Sequence, residues 1–217
     1  MEKVRAAVIG IGNMGSAHVN CIGGHRIDGL ELVGACDIAP ERLNYLKTNF
    51  PSVRPYADWR EVLKQPDIDA VVIAVPHPLH GTIAIAAMEA GKHVPVVKPE
   101  NVSVTASAAM NEAAERTCKV FGIMFNQRTN CVYRKMRELV QSGKYGEIRR
   151  TNWIITNWYR PQAYYDSGDW RATWRGEGGG VLFNQCPHQL DLLQWVTGMM
   201  PARIRSFCHF GKWHDIE

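Results

Sequence analysis

An α/β protein built on a doubly wound parallel sheet is the fold class the sequence predicts, on three observations. Strand-length apolar runs alternate with helix-period segments through the first 125 residues. Several runs, such as Ala70-Val71-Val72-Ile73-Ala74-Val75, are apolar throughout, as strands covered on both faces require. A glycine-rich turn, Gly10-Ile11-Gly12-Asn13-Met14-Gly15, falls between the first strand and the first helix, where such spacing has a physical use.

The elements follow in order. A strand is expected at Val4–Ile9, then a helix over Met14–Ile22, a strand over Leu30–Asp37 and a helix over Glu41–Thr48. A weaker segment at Val53–Tyr56 and a short helix near Asp58–Lys64 come next. Ala70–Val75 is the most apolar strand; a helix over Thr82–Ala90, a strand near His93–Val97, a helix over Thr105–Lys119 and a strand over Val120–Phe125 follow. Residues 1–125 are therefore expected to form one dinucleotide-binding domain of the Rossmann type. Pro95 is discordant, since a proline inside an interior strand cannot donate a ladder hydrogen bond.

After Asn126 the rhythm changes. A long helix over Cys131–Gln141 leads through a GKYGEI turn to Ile148–Trp158, whose β-branched and aromatic residues predict a strand. Arg160–Gly180 is aromatic, polar and glycine-rich, which predicts a long ordered loop. Val181–Val196 is expected as one helix and Ile204–Phe210 as a strand. Residues 126–217 thus predict the start of a second α/β domain with an open, incomplete sheet. Two long strands make no stable sheet alone, so a truncated domain is expected, whose edge another chain covers or which stays poorly ordered.

Composition narrows the function classes. The chain has 217 residues, 46% hydrophobic and 21% charged, which is globular and argues against disorder. Its formal charge of +4 is dispersed, with only isolated pairs such as Arg149-Arg150, so nucleic acid is not an expected partner. No signal peptide or membrane-length apolar stretch is evident. Cys21, Cys36, Cys118, Cys131, Cys186 and Cys208 lack CxxC spacing and are expected as reduced, mostly buried thiols, which points to the cytoplasm.

The glycine turn carries specific physics. Gly10 permits the tight turn, Gly12 lets backbone approach a diphosphate, and Gly15 allows close helix packing, while the helix N-terminus presents amides and a positive dipole end. Asp37 ends the second strand 22 residues beyond Gly15, where a carboxylate accepts hydrogen bonds from ribose hydroxyls. That carboxylate repels a 2′-phosphate, and the next residues, Ile38 and Ala39, offer no arginine. NAD is expected rather than NADP.

With these residues stand VIGIGNMG, VPHPLH, AAMEAGKHV, the Lys98-Pro99 pair, FNQRTN and GGGVLFNQCPHQLDLLQW. In that order the chain resembles the Gfo/Idh/MocA oxidoreductases, from residue 4 to about residue 210. The resemblance implies an NAD-dependent dehydrogenase of sugars, inositols or related polyols, assembled as a homo-oligomer through its C-terminal sheet. It places Gly10, Gly12, Asn13, Met14, Gly15, Asp37, Pro76 and Lys98 around the cofactor. Lys98 also matches the lysine that hydrogen-bonds the reacting hydroxyl, and His188 the proton acceptor, with Asn184 between them in role. Lys98, Arg128, Trp158, Asn184 and His188 would contact substrate. His80 matches a frequent family histidine and is expected to be structural.

Histidine suits general-base work because it titrates near neutrality. Within the expected helix, Asn184, His188 and Asp191 share one face, beside an apolar face of Leu190, Leu193 and Val196. Trp153, Trp158, Tyr159, Tyr164, Trp170 and Trp174, mixed with Arg160, Arg171 and Arg175, are expected partly to shape a substrate pocket. His209 and His214 lack further ligands at suitable spacing, so a metal-free site is expected. Two departures bear on activity: Asn184 stands where many relatives have aspartate, and Val97 where the EKP motif has glutamate. A catalytically silent nucleotide-binding relative is the rival expectation.

Overall fold

A computed structural model describes residues 2–156, 159–207, 214 and 216. The chain divides into two compact units, Met1–Met124 and Phe125–Glu217.

The first unit is a six-stranded, wholly parallel sheet in the order β3-β2-β1-β4-β5-β6. Its strands are β1 (Val4–Ile9), β2 (Leu30–Cys36), β3 (Arg54–Tyr56), β4 (Ala70–Ile73), β5 (Val94–Val97) and β6 (Phe121–Met124). The connecting helices are α1 (Asn13–Gly23), α2 (Pro40–Asn49), α3 (Trp59–Leu63), α4 (His80–Glu89) and α5 (Val104–Thr117). This is the expected Rossmann fold, and the strand order reverses between β1 and β4, the switch point where such sheets bind ligands at their carboxyl ends.

Side-chain alternation along the strands separates two cores. Ala7 and Ile9 of β1, with Val71 and Ile73 of β4, join Ile83, Ala87, Met88 and Met110 on one face. Val8 and Val72, one residue out of phase, join Val19, Ile22, Leu46 and Val53 on the other. Each large aliphatic side chain sealed in this way contributes about 1.5–3 kcal/mol of burial free energy, which is why β1 and β4 carry hardly a polar atom.

Pro95 does lie in the interior strand β5, paired with Gly122 of β6. His93 donates to the Asp69 carbonyl and accepts from the Val71 amide, so by the two-residue repeat Pro95 faces β4. Its missing N–H costs that ladder a bond. What remains between β4 and β5 is the Ile73–Val96 pair and a single bridge between Ala70 and His93.

The second unit holds α6 (Cys131–Gln141), α7 (Gln162–Tyr165), α8 (Trp174–Glu177), α9 (Val181–Asn184) and α10 (Pro187–Thr197). α10 packs on α6. Its last turn is closed by Gly198 at positive φ, while the Gln141 amide donates to the carbonyls of Trp195 and Val196 and the Arg137 guanidinium to that of Trp195.

Four expectations are corrected. Neither 148–156 nor 204–207 forms a strand among the described residues, and Ile154, Ile204 and Phe207 are exposed; a β-rich composition makes a strand only where a neighbour completes the ladder. The open second sheet is thus not seen among the described residues, the remainder of Ile148–Trp158 and Ile204–Phe210 lying outside them. The single helix over Val181–Val196 is two, because Pro187, the first residue of α10, has no N–H with which to continue the hydrogen bonding of α9. Leu190 and Leu193 are exposed, and Leu192 and Val196 are the buried pair. Among the described cysteines, all free, only Cys36 is buried, and Cys118 and Cys131 are exposed. No helix among the described residues is long and apolar enough to cross a membrane.

Candidate functional site

The glycine turn sits at the carboxyl end of β1, at the switch point. Gly10 has φ +91°, and a Cβ there would lie 2.6 Å from the Ala74 carbonyl oxygen; one on Gly15 would lie 1.7 Å from the Gly10 oxygen. Both positions are closed to any side chain. Gly12 differs, since a Cβ there would meet only the Arg42 Nη1, at 3.3 Å. Its face is the open one. Gly12 also caps α1 without a side-chain hydrogen bond, and no acidic residue occupies the first turn, so the amides beginning at Asn13 and Met14 are left to an anion.

Asp37 follows β2 and is held in place. Its Oδ2 accepts the Ile11 amide at 2.6 Å and its Oδ1 the Ala39 amide at 2.9 Å, leaving further lone pairs for hydroxyl donors. The carboxylate therefore both starts the turn into α2 and pins the middle of the glycine loop. The Arg42 guanidinium, from the first turn of α2, donates to the Ile11 carbonyl, so Ile11 is clamped on both sides. Sequence reasoning missed Arg42, which lies five residues beyond Asp37. Cys36, just before Asp37, is no nucleophile: burial, with Asp37 and Asp58 adding, pushes its thiol up to about 12. These residues fit a dinucleotide: glycines that pack against backbone, one open face, bare helix amides and an anchored carboxylate.

Pro76 and Lys98 stand on the loops after β4 and β5. His80, fully buried, joins these loops: its Nε2 lies 2.8 Å from the Val75 carbonyl oxygen and its Nδ1 2.9 Å from that of Pro99. Lys98 is half-buried. Val97, in place of the family's glutamate, is a core residue of β5. The carboxyl on this loop is instead Glu100, raised above its usual range by burial, against which a Ser107 hydrogen bond works.

In the second unit, Asn184 and His188 lie on separate helices, α9 and α10, so the single face expected for Asn184, His188 and Asp191 does not form. Asn184 is buried and donates through Nδ2 to Oε1 of Glu177, itself buried at the end of α8. Glu177 is a second residue missed in the sequence, and it brings a carboxylate to the asparagine. His188 stacks edge-on against Phe125, ring centroids 6.0 Å apart. Arg128 is engaged by Asp191 through two bonds, Nε–Oδ2 at 2.9 Å and Nη2–Oδ1 at 2.5 Å. The Asp191 carboxylate raises the Arg128 pKa, and the bond ties the start of the unit to α10.

The aromatic loop is largely self-satisfied. Tyr164 lies between the guanidinium groups of Arg160 and Arg171, 4.4 and 4.3 Å from its ring, and Arg171 Nη1 donates to its hydroxyl at 2.7 Å. Trp174 is exposed, and Trp158 lies outside the described residues. His214 meets the rings of Tyr159 and Tyr165; His209 lies outside the described residues. No group of three metal-ligating side chains occurs among the described residues.

Residues 4–125 match the family model described as oxidoreductase family, NAD-binding Rossmann fold, and residues 133–215 match that of the GFO/IDH/MocA C-terminal domain. The 1-carboxy-3-chloro-3,4-dihydroxycyclo hexa-1,5-diene dehydrogenase of Comamonas testosteroni is 32% identical over 186 residues, 85% of this chain and 45% of its own. An alpha-N-acetylgalactosaminidase of Shewanella oneidensis is 30% identical over 197 residues, covering 84% of this chain and 42% of its own. The WlbA dehydrogenase of Bordetella pertussis, solved with NADH and UDP-GlcNAcA, superposes with a TM-score of 0.80 at 31% identity, over 90% of this chain and 58% of that one. The chain thus spans about half the length of the relatives it matches. With the glycine turn, the strand order and both family models in agreement, the chain belongs to the GFO/IDH/MocA oxidoreductases and carries their NAD-binding Rossmann domain.

Proposed function

We propose that this chain carries the cofactor site and reacting side chains of an NAD-dependent dehydrogenase that oxidises a hydroxyl of a sugar, inositol or related polyol, or reduces the corresponding ketone. The observation that carries the proposal is the anchored Asp37 beside the open face of Gly12, with Lys98 on the neighbouring crevice loop. Residues 1–125 would hold the cofactor and residues 126–217 would contribute to the substrate side. NAD, when bound, supplies the hydride chemistry.

In this reading the amides of Gly12, Asn13, Met14 and Gly15 hold the diphosphate, Asp37 accepts from the ribose, and Pro76 flanks the nicotinamide. Lys98 donates a hydrogen bond to the reacting hydroxyl oxygen, and His188 accepts its proton. Asn184 cannot accept a proton but orients a hydroxyl or His188, with the Glu177 carboxylate behind it. Arg128 acts by holding α10 through Asp191, in place of the direct substrate contact expected from sequence. Trp158 would line the substrate. Association of copies of the chain through the second unit completes the proposal.

A panel of sugars, inositols and diols with NAD, followed at the absorbance of the reduced cofactor, tests it. Lys98→Ala should abolish turnover while NADH affinity stays within about threefold; normal turnover in that variant rejects the assignment. NADH binding without turnover on any substrate would favour a silent binding protein. Release of nitrophenol from an N-acetylgalactosaminide would favour glycoside cleavage, the activity named for one relative.

A further inference from the structure

The β4 and β5 strands meet at the site end of the sheet with an interrupted ladder. Pro95 removes one backbone bond, and the Ile73–Val96 pair is the last before the strands give way to the loops of Pro76 and Lys98. Beyond that pair, the side chain of His80 spans the gap. Its ring is fully buried, with one nitrogen 2.8 Å from the carbonyl of Val75, directly before Pro76, and the other 2.9 Å from the carbonyl of Pro99, directly after Lys98.

The two anchor points are themselves fixed. Ala74 and Val75 form the floor of the glycine turn, where the Ala74 oxygen and Val75 Cγ1 lie 2.6 and 3.0 Å from the place of a Gly10 Cβ. Pro99 is buried, so the backbone next to Lys98 cannot be repositioned by solvent. We propose that His80 is a positioning residue for Lys98, a side-chain brace beyond the last β4–β5 pair that sets Lys98 in register with the glycine turn. This rests on the role given to Lys98 in the dehydrogenase reading.

The chemistry suits a brace. Both facing groups are carbonyls, so the ring must donate to be held. Burial pushes the His80 pKa below its ordinary value, against the pull of backbone hydrogen bonds at Val75, Pro99 and Glu100. Glutamine, with an amide N–H₂ on a flexible stem, can make the same donation; alanine cannot.

Competitive acetylation of the folded apo-protein with acetic anhydride, read by peptide mass spectrometry, reports the reactivity of Lys98 across pH, with exposed Lys47 as reference. In His80→Ala the Lys98 labelling rate should change about tenfold, or its pH profile shift by about one unit, with Lys47 unchanged. His80→Gln should recover most of the wild-type profile. An unchanged Lys98 profile in folded His80→Ala overturns the proposal, and so does the absence of recovery in folded His80→Gln. If His80→Ala does not fold, a wild-type profile in His80→Gln upholds the brace and an altered one rejects it. Failure of both variants to fold makes His80 a core residue and nothing more. Adding NADH to the wild type keeps the two readings apart: NADH should slow Lys98 labelling, and if it does not, Lys98 is not beside the nicotinamide and the dehydrogenase reading fails on its own account.

Discussion

The first unit builds its site from backbone, whereas the second builds its own from side-chain pairs. Around Gly10–Gly15 the diphosphate cradle consists of a strand end, a helix start and absent side chains, all resting on a sheet whose central strands are sealed on both faces. In the second unit the candidate groups are held by side-chain partners: Arg128 by Asp191, Asn184 by Glu177, Tyr164 by two arginines. Backbone sites fail when something is added to them; side-chain sites fail when something is taken away. The two halves should therefore answer mutation in opposite ways.

The largest effect is expected at Gly15. Its Cβ has nowhere to go but the Gly10 carbonyl, so Gly15→Ala should cost about 3 kcal/mol or more and remove NADH binding together with stability. Gly12→Ala sharpens the contrast. At φ −72° alanine is unstrained and meets only the end of a flexible arginine, so stability should hold within about 0.5 kcal/mol. A Cβ on the open face would nonetheless stand where the diphosphate approaches, and NADH affinity should fall by at least about tenfold. Calorimetry with NADH beside thermal melts reads both; equal losses of stability in the two variants would break the distinction.

A smaller effect is expected from removal in the second unit. Asp191 is nearly buried, at 10% side-chain exposure, while Arg128 is 45% exposed. Arg128→Ala should thus destabilise this unit by roughly 2 kcal/mol, because it leaves a desolvated carboxylate unpaired. Asp191→Asn should cost less, since the arginine can turn to water. Urea unfolding that ranks the two the other way would show that the unpaired guanidinium, and not the desolvated carboxylate, is the costly member of the pair.

The same contrast explains what was legible in the sequence. The six parallel strands, the glycine turn and Asp37 could be found because apolar runs, glycine spacing and chain order are local signals. The expected strands over Ile148–Trp158 and Ile204–Phe210 could not be secured that way, because a strand is a relation between segments. Pro187 did carry a local signal, and the apolar period continuing across it masked the break between α9 and α10. Arg42, Glu177 and the Arg128–Asp191 pair were hidden for a common reason: their partners lie 31, 7 and 63 residues away, and reach across a turn has no signature in spacing.

The smallest effect falls at the end of the sheet away from the site, and it separates the units by pH. Asp69 accepts from the Arg5 side chain at 2.8 and 3.0 Å and from the Arg5 amide at 2.8 Å, which holds its pKa down to about 2 from an ordinary 3.8. A depressed carboxylate stabilises the fold wherever it is ionised, so this contribution is complete above about pH 4 and is lost as pH falls towards 2. Arg5 and Asp69 are each about a third exposed, so the gain is modest and screened by salt. Asp69→Asn should lower the melting temperature of the first unit by a small amount at pH 7 and remove part of its acid sensitivity between pH 4 and 2. Since the bond joins the beginnings of β1 and β4, NADH affinity at pH 7 should not change. A variant that loses NADH binding there would mean that the glycine turn depends on the far end of its own strands, and the backbone site would be less self-contained than its packing implies.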